Sequence, residues 1–218
     1  DVIFFAAGDY AFSYRVTLSL AQYLQVPVVM WCADDYYLSP PVSPFRRLQC
    51  RRLRKLARQV VRQSGSVVTI SDKMGTDYAR FFDVPVETVR ISSDPNPYAL
   101  PATQRTGIVY AGNLGLNRIA PLVELGRALR QAALPGFSAI DVYSGEQRPA
   151  VLRQITEENG LHYCGRISAS EVERLLGRSK FLVFTESFDD KSVRRVKYSL
   201  STKISESLRS GACLLAYG

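Results

Sequence analysis

The feature that most constrains this chain is a regular alternation of short apolar runs with longer helical patterns. Nine runs, at residues 2–6, 26–31, 67–70, 86–91, 107–111, 139–144, 161–164, 181–185 and 212–217, are each four to six residues long. Continuous apolar runs of this length suit strands buried on both faces, and strands that alternate with helices pair in parallel beneath a helical cover. The expected fold class is therefore α/β, with parallel sheets wrapped by helices.

The alternation breaks once, at residues 92–105, a stretch rich in proline and small polar residues that reads as an interdomain linker. It separates an N-terminal domain, 1–91, from a C-terminal domain, 106–218. A strand-like run starts at residue 2 and another ends at residue 217, with no lead-in and no covering helix after it. Both domains are therefore expected to be incomplete.

Several helix ends are explicit. Ser168-Ala-Ser-Glu171 has the pattern of a capping box ahead of Val172, Leu175 and Leu176. Pro149 and Gly160 are placed to open and close one helix, with Val151, Leu152 and Ile155 on a shared face. Met74, Tyr78, Phe81 and Phe82 follow helical spacing after Ser71-Asp72, and this aromatic stripe predicts core rather than a cofactor box.

The net charge of +8 is local. No acidic residue lies between Asp35 and Asp72, and the gap holds eight basic residues: Arg46, Arg47, Arg51, Arg52, Arg54, Lys55, Arg58 and Arg62. Without those eight, 20 of the 28 basic residues remain and balance the 20 acidic ones. Residues 44–63 read as a basic amphipathic helix with an apolar stripe of Phe45, Leu48, Leu53, Leu56 and Val60. A solvated face, an anionic membrane surface reached by the Arg46–Arg62 helix, and nucleic acid are three readings of it. Nucleic acid is the least favoured and none is expected, because no aromatics are interleaved with the arginines.

No apolar run approaches the roughly 18 residues of a membrane span. The four cysteines, Cys32, Cys50, Cys164 and Cys213, are scattered without a C-x-x-C pair. A cytoplasmic protein with reduced thiols is the simpler expectation. The single histidine, His162, sits in a short strand, where packing or surface exposure is commoner than catalysis. It supports neither a Ser-His-Asp triad nor an imidazole-rich zinc site.

Two segments carry candidate chemistry. Gly107-Ile-Val-Tyr-Ala-Gly112-Asn113-Leu-Gly115 leads through a glycine turn toward Arg118 and a helix. Such a turn exposes backbone N–H groups to an anion, but a plain strand-to-helix turn reads equally well, and neither G-x-G-x-x-G nor Walker A is present. In Phe181-Leu-Val-Phe-Thr-Glu186, a strand ends in a carboxylate. Glu206 follows 20 positions on, with Lys203, at the start of the next helix. Carboxyl ends of parallel strands are where α/β folds bind ligands. Two acceptors beside a cation suit a ligand bearing hydroxyls and phosphates, although two solvated glutamates are the alternative.

Residues 181–218 resemble the donor-site segment of GT-B glycosyltransferases, especially family 4, in which a helix reading approximately K-x-x-E-x-L-x-S-G precedes a strand. Tyr110 to Gly115 with Arg118 is similar to the opening of that family's C-terminal domain, and residues 27–35 and 68–71 resemble its cleft-facing loops. The resemblance implies two Rossmann-like parallel-sheet domains and transfer of a sugar from a nucleotide-sugar, as co-substrate rather than cofactor, to a saccharide or lipid-linked acceptor. It implies that Glu206 receives the ribose hydroxyls, Glu186 the transferred sugar, and that Gly112 and Asn113 lie beside the diphosphate. Arg118 and Lys203 would neutralise it, making Glu186, Arg118 and Lys203 the catalytic set.

The chain departs from the family in two places. The paired glutamates are more widely spaced than in the E-x-x-x-x-x-x-x-E signature, because a segment with Asp189, Asp190, Lys191, Arg194, Arg195 and Lys197 intervenes. Asn113 stands where the family often has arginine. No D-x-D occurs, so no metal is expected in the transfer, and retention of configuration follows from the resemblance alone. A sugar-nucleotide epimerase on the same fold and a non-catalytic basic module are the rivals. An enzyme working at the inner face of a membrane fits the arginine-rich helix.

Overall fold

The computed structural model describes every residue except Pro41, Val42 and Ser93. The chain forms two compact α/β units, one of Asp1–Ile91 with Arg194–Leu200, the other of Ser92–Val193 with Ser201–Gly218. The stretch 92–105, which reads as a linker, is counted with the second unit and includes the 3-10 turn Ala102–Gln104.

The first unit is a parallel sheet of β1 (Ile3–Ala6), β2 (Val28–Cys32), β3 (Ser64–Thr69) and β4 (Val86–Thr88) in that spatial order. Helices α1 (Ala11–Leu24), α2 (Pro44–Gln63) and α3 (Asp72–Phe82) connect the strands. Met74, Tyr78 and Phe82 are buried and Phe81 packs against the same cluster, so the aromatic stripe of α3 is core. Ser71 caps α3 by accepting a hydrogen bond from Met74 N, and Ser43 caps α2 from Arg46 N.

Polar groups specify this core. Tyr14 and Tyr37 share a short hydroxyl–hydroxyl hydrogen bond, and Tyr78 donates to Asp35 Oδ1 at 3.0 Å. Asp35 also accepts from the backbone N–H of Tyr37, Leu38 and Ser39 at 2.7–3.0 Å, and from Ser39 Oγ. Burial alone would raise this carboxyl; the bonds from Ser39, Leu38 and Tyr37 outweigh it and lower the pKa. Asp35 therefore organises a loop.

Two apolar patterns depart from expectation. In α2 the buried side is Leu53, Ala57, Val60 and Val61, whereas Phe45 and Leu48 are 71% and 52% exposed, because the first turns of this helix extend past the core. In edge strand β1 only Phe5 is buried, and Phe4 is exposed. The exposed side of α1 repeats Phe12, Val16 and Leu20 at i, i+4, i+8.

Segment Arg194–Leu200 lies far along the chain yet belongs to the first unit. Its Tyr198 is buried in the core cluster there and donates from its hydroxyl to Asp77 Oδ2 at 2.9 Å. Lys73 reaches the same carboxylate at 3.0 Å, and Ser71 Oγ donates to Tyr198 O.

The second unit holds a five-stranded parallel sheet. Strands β5 (Thr106–Ala111), β6 (Ile140–Tyr143), β7 (Leu161–Gly165), β8 (Ser179–Thr185) and β9 (Cys213–Tyr217) are arranged β7-β6-β5-β8-β9. All nine expected strands are present across the two units. Helices α4 (Ile119–Ala132), α5 (Pro149–Leu152), α6 (Ala169–Arg178), α7 (Asp190–Val196), whose residues from Arg194 on are counted with the first unit, and α8 (Thr202–Ser210) complete the sequence of elements. The capping box is present at α6: Ser168 accepts from Glu171 N while Glu171 accepts from Ser168 N at 2.8 Å.

The single helix expected over 149–160 is instead two pieces. Helix α5 stops at Leu152, and a 3-10 turn covers Glu157–Asn159. Thr156 divides them, since it is extended and its hydroxyl accepts from Asn159 N, starting a new turn. Gly160 closes that turn at φ 64°, and it faces Gly126 of α4 so closely that a Cβ on either glycine would strike the other chain segment.

Candidate donor site

In the second unit the chain steps from β5 to β6 and β7 on one side, and later to β8 and β9 on the other. The reversal of strand order at β5 opens a crevice at the carboxyl ends of the strands, the usual ligand position in open parallel sheets. The turn after β5 runs through this place, bounded by the ends of β6 and β8.

Gly112 opens the turn at φ 153°, with its N–H bonded to Tyr143 O at 2.9 Å. A Cβ here would collide with Cε and Nζ of Lys203, so the glycine lets the lysine of α8 lie against bare backbone. Lys203 Nζ stands 5.4 Å above the Tyr110 ring centroid. Burial lowers the Lys203 pKa and the Arg118 charge adds to the effect, while Glu186 and Glu206 oppose it. Lys203, Glu206 and Gly112 line one cavity of about 280 Å³ with Tyr143, Ser144, Gly145 and Arg166. Ser144 is 4% exposed, and its hydroxyl has no hydrogen-bond partner among the described residues.

Arg118 and Glu186 are joined to each other. Nε and Nη2 of Arg118 donate to the two carboxylate oxygens at 3.0 and 2.8 Å, and both side chains are largely buried. Arg118 thus carries no surplus charge into the crevice. Asn113 is exposed; its side chain accepts a short hydrogen bond from Gly115 N, and its carbonyl accepts from Tyr110 Oη at 2.8 Å. It shapes the turn and is absent from the cavity lining.

Sequence reasoning missed what holds this turn. Leu116 and Asn117 are both left-handed, at φ 54° and 55°, a conformation costly for Leu116 and better tolerated by asparagine. Ser192 Oγ donates to Leu116 O at 3.1 Å, and Asn117 Nδ2 donates to Ser187 Oγ at 3.3 Å. Asp189 accepts from Ser187 Oγ and Ser192 N, and these bonds hold its carboxyl well below the usual range. The segment that separates Glu186 from Glu206 therefore buttresses the turn after β5. Its dense Ser and Asp content was the available signal.

Helices α4 and α8 both begin at this edge, and neither N-terminus has a side-chain cap. In α4 this leaves little for an anion, since Ala120 N donates to Asn117 O and Pro121 has no N–H; in α8 Ile204 N donates to Ser201 O, so the N–H groups of Thr202 and Lys203 are the ones an anion would meet. A larger hollow, of about 600 Å³, opens elsewhere in the unit, lined by Gly107, Arg130, Phe137, Asp141 and His162. It lies toward the amino ends of β5 and β6, away from the helix starts.

No family model matches the chain, and no curated protein does. Solved structures do resemble it. The chain superposes on Anabaena HepE, solved with UDP, with a TM-score of 0.65 at 17% identity over 99% of this chain and 59% of that one. It superposes on TarM with a TM-score of 0.67 at 14% identity, over 99% and 40%. It also superposes on a UDP-forming α,α-trehalose-phosphate synthase from Burkholderia vietnamiensis with a TM-score of 0.66 at 11% identity, over 98% and 58%. A putative UDP-N-acetylglucosamine 2-epimerase from Listeria monocytogenes has the same likeness more weakly, with a TM-score of 0.55 at 12% identity. The chain thus spans 40–59% of the length of these first structures. Its two parallel-sheet units have the Rossmann-like architecture of GT-B proteins.

Proposed function

We propose that the second unit binds the nucleoside diphosphate of a sugar donor and that the protein is a glycosyltransferase acting on a saccharide or lipid-linked acceptor. The observation that carries this reading is the grouping of Glu206, Lys203 and Gly112 around one cavity at the carboxyl ends of the strands. Its volume of about 280 Å³ is near the lower bound of ligand pockets, roughly 300 Å³, and suits a nucleoside rather than a whole nucleotide-sugar. The buried Ser144 hydroxyl offers a further polar contact.

In this reading Glu206 accepts the ribose hydroxyls. The diphosphate lies over Gly112 and the start of α8, with Lys203 as its cation. The leaving diphosphate gains negative charge as the glycosidic bond breaks, and oriented N–H groups with a fixed ammonium stabilise it without reorganising. Glu186 contacts the sugar as a carboxylate whose orientation Arg118 fixes; Asn113 shapes the phosphate turn. No metal takes part, and configuration is retained because the leaving phosphate receives the acceptor proton on the same face. Calorimetric titration with UDP, GDP and ADP tests the reading, with Glu206→Ala as the control. Failure of all three to bind would sink it.

The likeness to an epimerase favours a second reading, in which the same donor site isomerises the sugar with no acceptor. NMR analysis of products from a nucleotide-sugar, with and without glycan acceptor, separates the two.

The exposed Phe45 and Leu48 among the arginines of α2 support peripheral attachment at the inner face of the cytoplasmic membrane. No helix among the described residues is long and apolar enough to cross a membrane. Sedimentation with vesicles containing anionic lipid checks this: Phe45→Ser with Leu48→Ser and, separately, Arg51→Glu with Lys55→Glu should each release the protein.

A further inference from the structure

Outside the donor site, one cluster brings three different metal-ligating groups together. Asp141 on β6 is directly opposite His162 on β7 in the parallel register, and Cys164 sits at the register shift that follows, where its Sγ approaches the His162 ring. His162 Nδ1 is 3.1 Å from Asp141 Oδ1 and 3.6 Å from Cys164 Sγ, and the three donor atoms lie within 4.8 Å of one another. Sequence alone separates Asp141 from His162 by 21 residues, so only strand pairing reveals the group.

We propose that Asp141, His162 and Cys164 form a binding site for a divalent cation of the zinc class. Zinc bonds of about 2.3 Å to sulfur and about 2.0–2.1 Å to nitrogen and oxygen set tetrahedral edges of about 3.6 Å from S to N and about 3.3 Å from N to O. The observed 3.6 and 3.1 Å match those two edges. The Asp141–Cys164 edge would have to shorten on binding, by a rotation of the half-exposed carboxylate that keeps one oxygen toward His162. A hard carboxylate, an imidazole and a soft thiolate form a donor set that suits zinc or cobalt better than magnesium or calcium. His162 is 63% exposed and, with Asp141, borders the 600 Å³ hollow, leaving a fourth position open to water or a ligand.

The place in the fold gives the ion a task. Among the described residues β7 is the sheet edge and pairs with β6 alone, so a cation held between Asp141 and His162 clamps the outermost strand to its neighbour. The site is distinct from the cavity that holds Glu206 and Lys203, and it assigns no metal to glycosyl transfer.

Zinc affinity is measured by competition with a chromophoric chelator on the full chain, for wild type and for Cys164→Ser, His162→Ala and Asp141→Asn. One equivalent of zinc is expected for wild type, with affinity at least tenfold weaker in the Cys164 and His162 variants and unchanged in Cys213→Ser. The cobalt(II)-loaded wild type should show a near-ultraviolet thiolate charge-transfer band and the visible bands of a tetrahedral ion. Wild type that binds zinc no better than the variants overturns the proposal, as does a cobalt spectrum without the thiolate band. The spectrum needs no variant, so misfolding of a variant cannot shield the idea. UDP titration of the same samples reads the donor site independently.

Discussion

Replacing Lys203 by Met separates the charge at the donor site from its shape. Methionine has nearly the length of lysine and can keep the contact with Gly112 and the Tyr110 ring while removing the ammonium. At 4 Å and an effective dielectric near 20, one pair of unit charges is worth about 4 kcal/mol, and partial exposure to solvent brings this to about 2–3 kcal/mol. UDP should therefore bind Lys203→Met roughly 30- to 150-fold more weakly, while uridine, which lacks the diphosphate, should bind both proteins alike. Because burial and Arg118 already disfavour the charged lysine, the variant without ligand should melt no lower than wild type. The pH dependence has a definite sign. The folded-state pKa is below the ordinary 10.5, so the cost of the buried charge is full below the folded pKa and is relieved as pH rises from there toward 10.5. ADP affinity of wild type, free of the uracil N3 ionisation that UDP adds, should fall across that alkaline window, and Lys203→Met should lose the dependence. Calorimetry with paired uridine and UDP, and the corresponding guanosine and adenosine pairs, measures all of this. Equal weakening of nucleoside and diphosphate, or of neither, would refute the assignment of Lys203 to the phosphates.

Glu206→Ala should behave in the opposite way, weakening uridine and UDP equally by about 1.5–3 kcal/mol, because charge-assisted hydrogen bonds to the ribose are lost from both; calorimetry reads the two ligands side by side. Gly112→Ala should displace Lys203 and place a side chain at φ 153°, lowering the melting temperature and UDP affinity together. Arg118→Met strands the Glu186 carboxylate and should destabilise the protein by about 2–4 kcal/mol in urea melts, whereas combining it with Glu186→Gln should recover much of the loss. Tyr198→Phe removes one hydroxyl bond to Asp77 and should cost about 1 kcal/mol; Tyr198→Ala, which also opens a cavity, should cost about 3–5 kcal/mol.

The strands at the middle of each sheet were legible as brief apolar runs, β2, β5, β6 and β8 having buried side chains; β4 and β9 have no fully buried residue, and β4 keeps only Val86–Thr88 of the run expected to reach 91. Helix ends were legible where chemistry is local, as in the Ser168–Glu171 box. The break at Thr156 was not, since Val151, Leu152 and Ile155 fit one helical face and only the hydroxyl contact to Asn159 shows that the turn restarts. In α2 the apolar spacing of Phe45 and Leu48 is genuine, but spacing does not reveal how far the core extends beneath a helix. At the site, Glu206, Lys203 and Gly112 could be read from one short motif and one turn. That Arg118 is spent on Glu186, and that Asp141 meets His162, depends on which strands lie side by side, and periodicity carries no such information.

The burial of Tyr198 against α3 bears on how the chain acquires its structure during synthesis. The first unit draws on residues up to Leu200, so the segment 92–193 must be made before its core can close. Until then the place later filled by Tyr198 leaves apolar surface of α3 uncovered, while the intervening second unit has most of its own sheet available. Contacts between segments so distant in sequence are slow to form. A nascent chain stalled after residue 91 would therefore be a sticky intermediate and a natural client for a chaperone, and separating the two units by cutting at the 91/92 boundary would leave the first one unfinished.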